Sequence, residues 1–417
     1  MTEGAPHEYK EKAGACAECG NSPINHLEAY FVQTFTVWAS GPGTLRSYFE
    51  TASVWMEPLF EKFERALCAI LAVLPITRFL HDPAGANTYR SQVIWEEAIR
   101  RGISMEQMSI FGIRTELYRA KIRDRWEYFL SLPVPAHMRS GAHIDDKFLL
   151  KHVLARAGIP APRVVSVTRL ADAIAARDMF DGPVAVKPRT GTRGRHTTVN
   201  VHNDPDMARA FRSAQQLCRY VAIEEYLEGS VCRGTVVDGK LVGFFKAEAP
   251  TVIGDGHSTV AELIERTNAD RPERVQAIEL TDEHTQFITR AGFTIDSILP
   301  TGTTVSLTHR TGRLFGGRTR ELLGSEHPKM RAYLERAAEV LGAPVVGFDL
   351  IIRDPEADPD EQRWGIIEAN SLPYIDLHYL PLEGTPSNVA GAVWDLWNIP
   401  TRFSAAPAPY PHTAIDL

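Results

Sequence analysis

The sequence predicts a mixed α/β protein with antiparallel sheets, assembled from α+β subdomains. Three observations predict it. Two β-branched apolar runs, 347–353 and 364–370, flank an acidic loop rich in Pro and Asp, which reads as a hairpin with a long connection. A second pair of runs, 232–238 and 240–246, meets at Asp238-Gly239, a dipeptide suited to tight hairpin turns. Ahead of both, from 163 to 217, short apolar runs alternate with segments of helical period.

The elements follow in order. Residues 1–45 carry no clear pattern. Over 48–80, Val54, Leu59, Phe60, Phe63, Leu67, Ile70 and Leu71 recur at three- and four-residue steps, predicting a helix. The break comes at His81-Asp82-Pro83-Ala84-Gly85. A second helix spans 89–101 and stops at Gly102. Helical and mixed segments are expected to 132. A helix opens at Asp146-Lys147, buries Phe148, Leu149, Leu150, Val153 and Leu154, and ends at Gly158, with Pro160 and Pro162 barring its continuation. Strands are expected at 163–167, 183–187, 197–201 and 220–225, with helices at 170–176 and ending at 217. Further helices are expected at 259–268, 327–341 and 389–397.

Bulk properties narrow the function. At 417 residues the chain needs two or three subdomains, because a single core stops growing well before that length. A formal charge of −7 argues against a nucleic-acid partner, which favours basic excess. The apolar stretch 66–76 is too short to cross a membrane, and the first twelve residues lack a secretory signal's apolar core. Five cysteines, few and odd in number, suggest a reduced, cytoplasmic protein. Cys16-Ala17-Glu18-Cys19-Gly20 is half of a zinc knuckle, but zinc needs four ligands. Only His7 and His26 lie near, at poor spacing, so an N-terminal tail without function is the favoured reading.

Three segments carry chemistry. The 354–363 loop is centred between Asp349 and Glu368, so simple pairing sets those carboxylates side by side. Asn370, two residues on, shares the face of Glu368. Three oxygen donors suit a hard cation such as Mg²⁺, which commonly bridges to substrate phosphates; the plain alternative is solvated acids at strand ends. Lys187 ends an apolar strand, where a buried ammonium needs an anion. The loop 189–196 that follows combines glycines, which let backbone N–H groups approach a phosphate, with arginines. It is neither a Walker loop nor a Rossmann fingerprint. The run 223–229 leaves a strand edge able to hydrogen-bond an adenine, or simply a plain edge with exposed acids.

In order, Asp146-Lys147 with Gly158-Ile159-Pro160-Ala161-Pro162, Val186-Lys187-Pro188 with its Gly loop, Glu224-Glu225-Tyr226-Leu227 and Glu368-Ala369-Asn370 resemble the motifs of ATP-grasp carboxylate–amine ligases. The likeness is greatest to the ATP-grasp module of cyanophycin synthetases and bifunctional glutathione synthases. It extends through residues 253–264, Gly316-Gly317, Glu326-His327-Pro328, Asn370-Ser371-Leu372-Pro373 and Leu377-His378, and covers about 146–397. The resemblance implies an ATP-grasp fold: an extra helical N-terminal region at 1–88, a pre-ATP-grasp domain at 89–145 (residues 96–103 look like its first helix), and ATP-grasp subdomains at 146–230 and 231–417.

It also implies a reaction. ATP phosphorylates a carboxylate, and an amine displaces phosphate from the acyl phosphate, chemistry that rests on positioning and charge neutralisation. Lys147 and Lys187 would hold phosphates and Gly191 and Gly194 would lie in the closing loop. Glu224, Glu225, Tyr226, Leu227 and Glu228 would serve the adenosine. Asp349, Glu368 and Asn370 would bind Mg²⁺, or Mn²⁺ in its place. Arg233 and Arg310 are the candidate catalytic partners for carboxylate or phosphate, the rest of the 310–320 arginine cluster being mostly surface charge.

Three positions depart from the family pattern: Val231 where an acidic ribose contact is usual, Glu248 where an arginine is usual with Lys246 nearby, and His196 at the end of the Gly-Arg-Gly loop. The expectation is an amide ligase for small amino-acid or short-peptide substrates, of dipeptide or γ-glutamyl type, with homo-oligomerisation left open. A protein or peptide acceptor and a small-molecule kinase remain open, since the fold alone does not choose between them. An inactive nucleotide-binding regulator is disfavoured by the intact Asp349, Glu368 and Asn370.

Overall fold

The computed structural model describes residues 16, 19, 24–39, 68–135, 138, 145–191 and 194–398. They divide into two compact units. The first holds the described residues up to 39 with 145–151 and 162–226; the second holds the others. The first element, α1 (His26–Ala39), belongs to the first unit. The helix expected over 48–80 lies largely outside the described residues. Its described end is corrected: helix gives way after residue 73, and β1 (Thr77–Leu80) is a strand. Thr77 pairs with Ile110, so cross-strand hydrogen bonding overrides helical period there.

In the second unit β1 begins a four-stranded antiparallel sheet. α2 (Tyr89–Arg100) follows, capped by the Thr88 hydroxyl, which accepts the Ser91 N–H, and ended at Gly102 with φ 71°. Then β2 (Met105–Ile110), β3 (Ile113–Ile122) and β4 (Arg125–Leu130) complete the sheet in the order β1-β2-β3-β4. The expectation of helical and mixed segments here is corrected to a meander. β2 is buried on both faces, so its sequence shows no alternation to read.

The first unit resumes with α3 (Lys147–Arg156), whose last residues belong to the second unit. Asp146 caps it, its carboxylate accepting the N–H groups of Phe148 and Leu149 at 2.9 and 3.1 Å. Next come β5 (Val164–Val167), α4 (Leu170–Arg177), β6 (Val184–Pro188), β7 (Thr198–Val201), α5 (Asp204–Gln215) and β8 (Val221–Glu225). The strands form one antiparallel sheet, β5-β8-β6-β7. Val184, Val186, Val221 and Ile223 form its buried core with Met207 and Phe211 of α5. The alternate residues of β6 and β8 therefore point away from that core, a consequence of the two-residue repeat of a strand.

The rest of the second unit is a five-stranded antiparallel sheet with a smaller lobe. β9 (Ser230–Val237) and β10 (Lys240–Ala247) meet at Asp238 and Gly239, both in the left-handed region at φ 49° and 72°. The lobe holds β11 (Thr251–Ile253), α6 (Val260–Ala269), α7 (Asp282–Arg290) and β12 (Thr304–Ser306), with Val252, Leu263, Ile264, Leu299 and Val305 as its core. α6 opens on a capping box between Thr259 and Glu262; α7 has no counterpart in the sequence reading. β13 (Thr319–Glu321), α8 (Pro328–Leu341), β14 (Val345–Ile352), β15 (Gly365–Asn370) and α9 (Val389–Asp395) follow. The sheet order is β13-β10-β9-β14-β15. A separate core joins Trp95 of α2, Tyr118 and Phe129 of the meander, and Trp394 of α9. Among the described residues no helix is long and apolar enough to cross a membrane.

Candidate active site

In the first unit, Lys187 pairs with Ala222 and Ala185 with Glu224 across β6 and β8. Lys187 and Glu224 thus share the face turned from the apolar core. Their side chains meet at 2.7 Å. The other Glu224 oxygen accepts from Lys151 at 2.8 Å. Lys151 sits one turn after Lys147 on α3, and Lys147 Nζ donates to the Gly191 carbonyl at 2.6 Å. All four side chains are buried. Burial works against the Glu224 charge, but Lys151 and Lys187 hold its pKa below the ordinary value. Burial also lowers Lys151, to about 7, with Glu224 resisting and Lys187 and Lys147 adding repulsion.

The turn beside this cluster is braced. Arg189 embraces Asp146 through Nε at 3.0 Å and Nη2 at 2.9 Å, and its guanidinium lies over the Phe148 ring. Asp146 therefore caps α3 and holds the start of the Gly loop at once. Gly191 and Gly194 have φ of 121° and 63°, so both take left-handed conformations that a side chain would strain. Glu225 turns to the other face and accepts the Arg163 N–H at 3.2 Å. The Tyr226 N–H donates to the Pro183 carbonyl. Residues from Leu227 onward belong to the second unit, where Leu227 is buried and Glu228 is exposed beside Arg353.

In the second unit, Asp349 pairs directly with Glu368, and Gly347 with Asn370. On the other side of β14, Asp349 faces Arg233 of β9. That arginine grips the carboxylate through Nε at 2.7 Å and Nη2 at 2.6 Å. Burial works against the Arg233 cation, yet Asp349, with Glu368 and Asp376, raises its pKa. Asn370 donates to Asp349 at 3.3 Å. Asp376 is half-buried, but its Oδ1 is shielded from solvent and has no hydrogen-bond partner among the described residues. Burial pushes that carboxyl up, against the pull of Arg90, Arg233 and His378. Asp349, Glu368 and Asn370 offer an oxygen donor set of the kind a hard divalent ion takes.

The arginine cluster separates by environment. Arg318 and Arg320 are exposed and pair with Glu383 and Glu356. Arg310 lies 5.6 Å from the Phe315 ring centroid. Arg313 is lowered by burial and by Arg274. Of the two family departures on this side, Glu248 pairs with Lys246 at 2.7 Å, while Val231 sits opposite Ala247 on β10. The sequence reading missed Lys151, Asp376 and the Arg189–Asp146 clasp. The four-residue step from Lys147 to Lys151 on a helix was a usable signal; Asp376 offered none.

No family model matches the chain. It is 31% identical over 321 residues to cyanophycin synthetase of Nostoc sp., covering 73% of this chain and 34% of that protein. It is 29% identical over 309 residues to the glutathione biosynthesis bifunctional protein GshAB of Mannheimia succiniciproducens, covering 70% and 40%. A crystal structure of a bifunctional glutathione synthetase from Pasteurella multocida aligns with a TM-score of 0.48 at 26% identity, covering 74% of this chain and 44% of that one. The chain thus spans about a third of the length of the cyanophycin synthetase it matches.

Proposed function

Over nearly three quarters of its length this chain is a relative of cyanophycin synthetase and of the bifunctional glutathione proteins, with the ATP-grasp module they share, and from that premise we propose that it is an ADP-forming carboxylate–amine ligase. Its substrates are small amino acids or short peptides joined as a dipeptide or γ-glutamyl amide, in a specialised pathway of the cytoplasm. A carboxylate oxygen attacks the γ-phosphorus of ATP and ADP leaves. The amine then attacks the acyl carbon, phosphate departs, and the amine proton is lost.

Lys147 and Lys187 neutralise phosphate oxygens, with the backbone at Gly191 and at Gly194 closing the site around them. Because its carboxylate is engaged by two lysines, Glu224 serves as a positioning residue that aims Lys187. The Glu225–Tyr226–Leu227 edge meets the adenine, and Glu228 the ribose. Asp349, Glu368 and Asn370 would hold Mg²⁺, which would supply charge neutralisation at the phosphates. Arg233 and Arg310 stabilise negative charge on the activated carboxyl group. The observation that carries the reading is the pairing of Asp349 with Glu368 beside Arg233, in a chain with these relatives.

The test is phosphate release with ATP, Mg²⁺ and a matrix of amino-acid pairs. Release that requires both an acid and an amine is expected. ADP formation with a single hydroxyl compound would make the protein a kinase, and release dependent on an added peptide would make that the acceptor. Lys187→Ala and Glu368→Gln are each expected to abolish turnover; full activity in either variant contradicts the assignment.

A further inference from the structure

We propose that Cys16, Cys19, His26 and His196 bind a structural Zn²⁺ ion that fastens the N-terminal segment to the end of the 189–196 loop. One ligand atom from each of these residues lies within 4.8 Å of the others. The Cys19 sulfur is 3.1 Å from His26 Nε2 and 3.4 Å from His196 Nε2, and the Cys16 sulfur is 3.6 Å from His196 Nε2. Zn–S bonds of about 2.3 Å and Zn–N bonds of about 2.0 Å at tetrahedral angles put neighbouring donors roughly 3.3–3.8 Å apart. The 3.4 and 3.6 Å spacings fall in that range, 3.1 Å lies just below it, and the whole set stays within 4.8 Å, so small side-chain adjustments would seat the ion. Two thiolates and two imidazoles form a closed set typical of structural zinc, and a borderline-soft ion suits it better than a hard one.

The surroundings are arranged for ligation. His196 is fully buried, and its Nδ1 lies 2.9 Å from the Ser213 carbonyl. A carbonyl only accepts, so Nδ1 carries the hydrogen and Nε2 turns its lone pair toward the sulfurs. This is the carbonyl–histidine–metal relay common around zinc. His196 also sits at φ 51°, an unusual backbone state for histidine, which delivers the ring to this point. The Cys19 N–H donates to the Cys16 carbonyl at 3.0 Å, closing the turn that brings the two sulfurs together. Both cysteines are free thiols.

The tail without function that the sequence suggests is replaced here by an anchored segment. Beyond His26, α1 reaches the same loop. Gln33, with its amide nitrogen facing them, donates to the Thr190 and Leu217 carbonyls at 2.9 and 3.2 Å. The Thr34 hydroxyl accepts the Arg219 N–H. The proposal stands on these contacts alone and does not depend on the ligase reading.

The experiment is metal analysis of the full-length chain purified without chelators. One zinc per chain is expected. Cobalt exchange should give the visible absorption of a tetrahedral Co²⁺ site with sulfur-to-metal charge transfer. The double variant Cys16→Ser, Cys19→Ser should lose that equivalent. His196→Asn, which tolerates the left-handed backbone, should lose the intense visible d–d bands of tetrahedral Co²⁺ or bind the ion far more weakly. Alkylation of Cys16 and Cys19, followed by peptide mass spectrometry, should be slow in the native chain and speed up on adding a strong chelator. This measurement needs no variant to fold. Wild-type protein that neither contains nor takes up zinc or cobalt, zinc retained in full by the double variant, or alkylation indifferent to chelator would each overturn the proposal.

Discussion

Lys151 shows how a single residue can tie stability to pH. Its native pKa lies near 7 against an ordinary 10.5, chiefly because burial penalises the ammonium. Between those values the unfolded chain holds a proton that the native one has released. Unfolding there takes up a proton, so the native state gains stability as pH rises from about 7 toward 10.5, and below 7 this contribution is flat. Lys151→Met removes the titration. In urea unfolding at several pH values, the stability of the wild type relative to this variant should climb from pH 7 to 9 by up to about 1.4 kcal/mol per pH unit. A difference independent of pH would show that Lys151 does not titrate in this window. At this scale the sequence was readable where an ion needed a counter-ion, as at Lys187, and blind where the partner lay far along the chain. Nothing near Cys16 and Cys19 announces His196, 177 residues beyond Cys19.

Among elements, the two hairpins were the most legible because their turns and loop symmetry fix register locally. Asp349 does face Glu368, and Asp238-Gly239 does turn β9 into β10. The meander β2–β4 was illegible for the opposite reason. With Gln107 and Ser109 buried among apolar neighbours, polarity no longer marks a face. The Asp238-Gly239 turn gives a sharp expectation. Gly239 has φ 72°, yet an added Cβ would meet nothing within 4 Å. Gly239→Ala should therefore cost only the conformational strain of a left-handed alanine, about 1–2 kcal/mol in urea unfolding. A larger loss would reveal a contact that the open space around the turn does not predict.

For the molecule as a whole, chain ends matter more than their polarity suggests. Trp394 is fully buried against Ile94 and Phe129, and its indole N–H donates to the Ile94 carbonyl at 2.9 Å. Trp394→Ala opens a large void in the core that α2, the meander and α9 share, and should cost about 3–5 kcal/mol, read as a lowered unfolding midpoint in urea. Retention of the wild-type midpoint would mean that α9 contributes little to that core. The change of pattern at Asp145 lies where the first unit resumes, but the return of α1 to that unit, and the loan of residues 152–161 to the other, follow from long-range packing that no local pattern announces. That interleaving has a price during synthesis. A ribosome adding roughly 5–20 residues per second exposes Cys19 for on the order of ten to thirty-five seconds before His196 emerges, so the nascent chain carries a naked dithiol, open to oxidation until its last ligand is made.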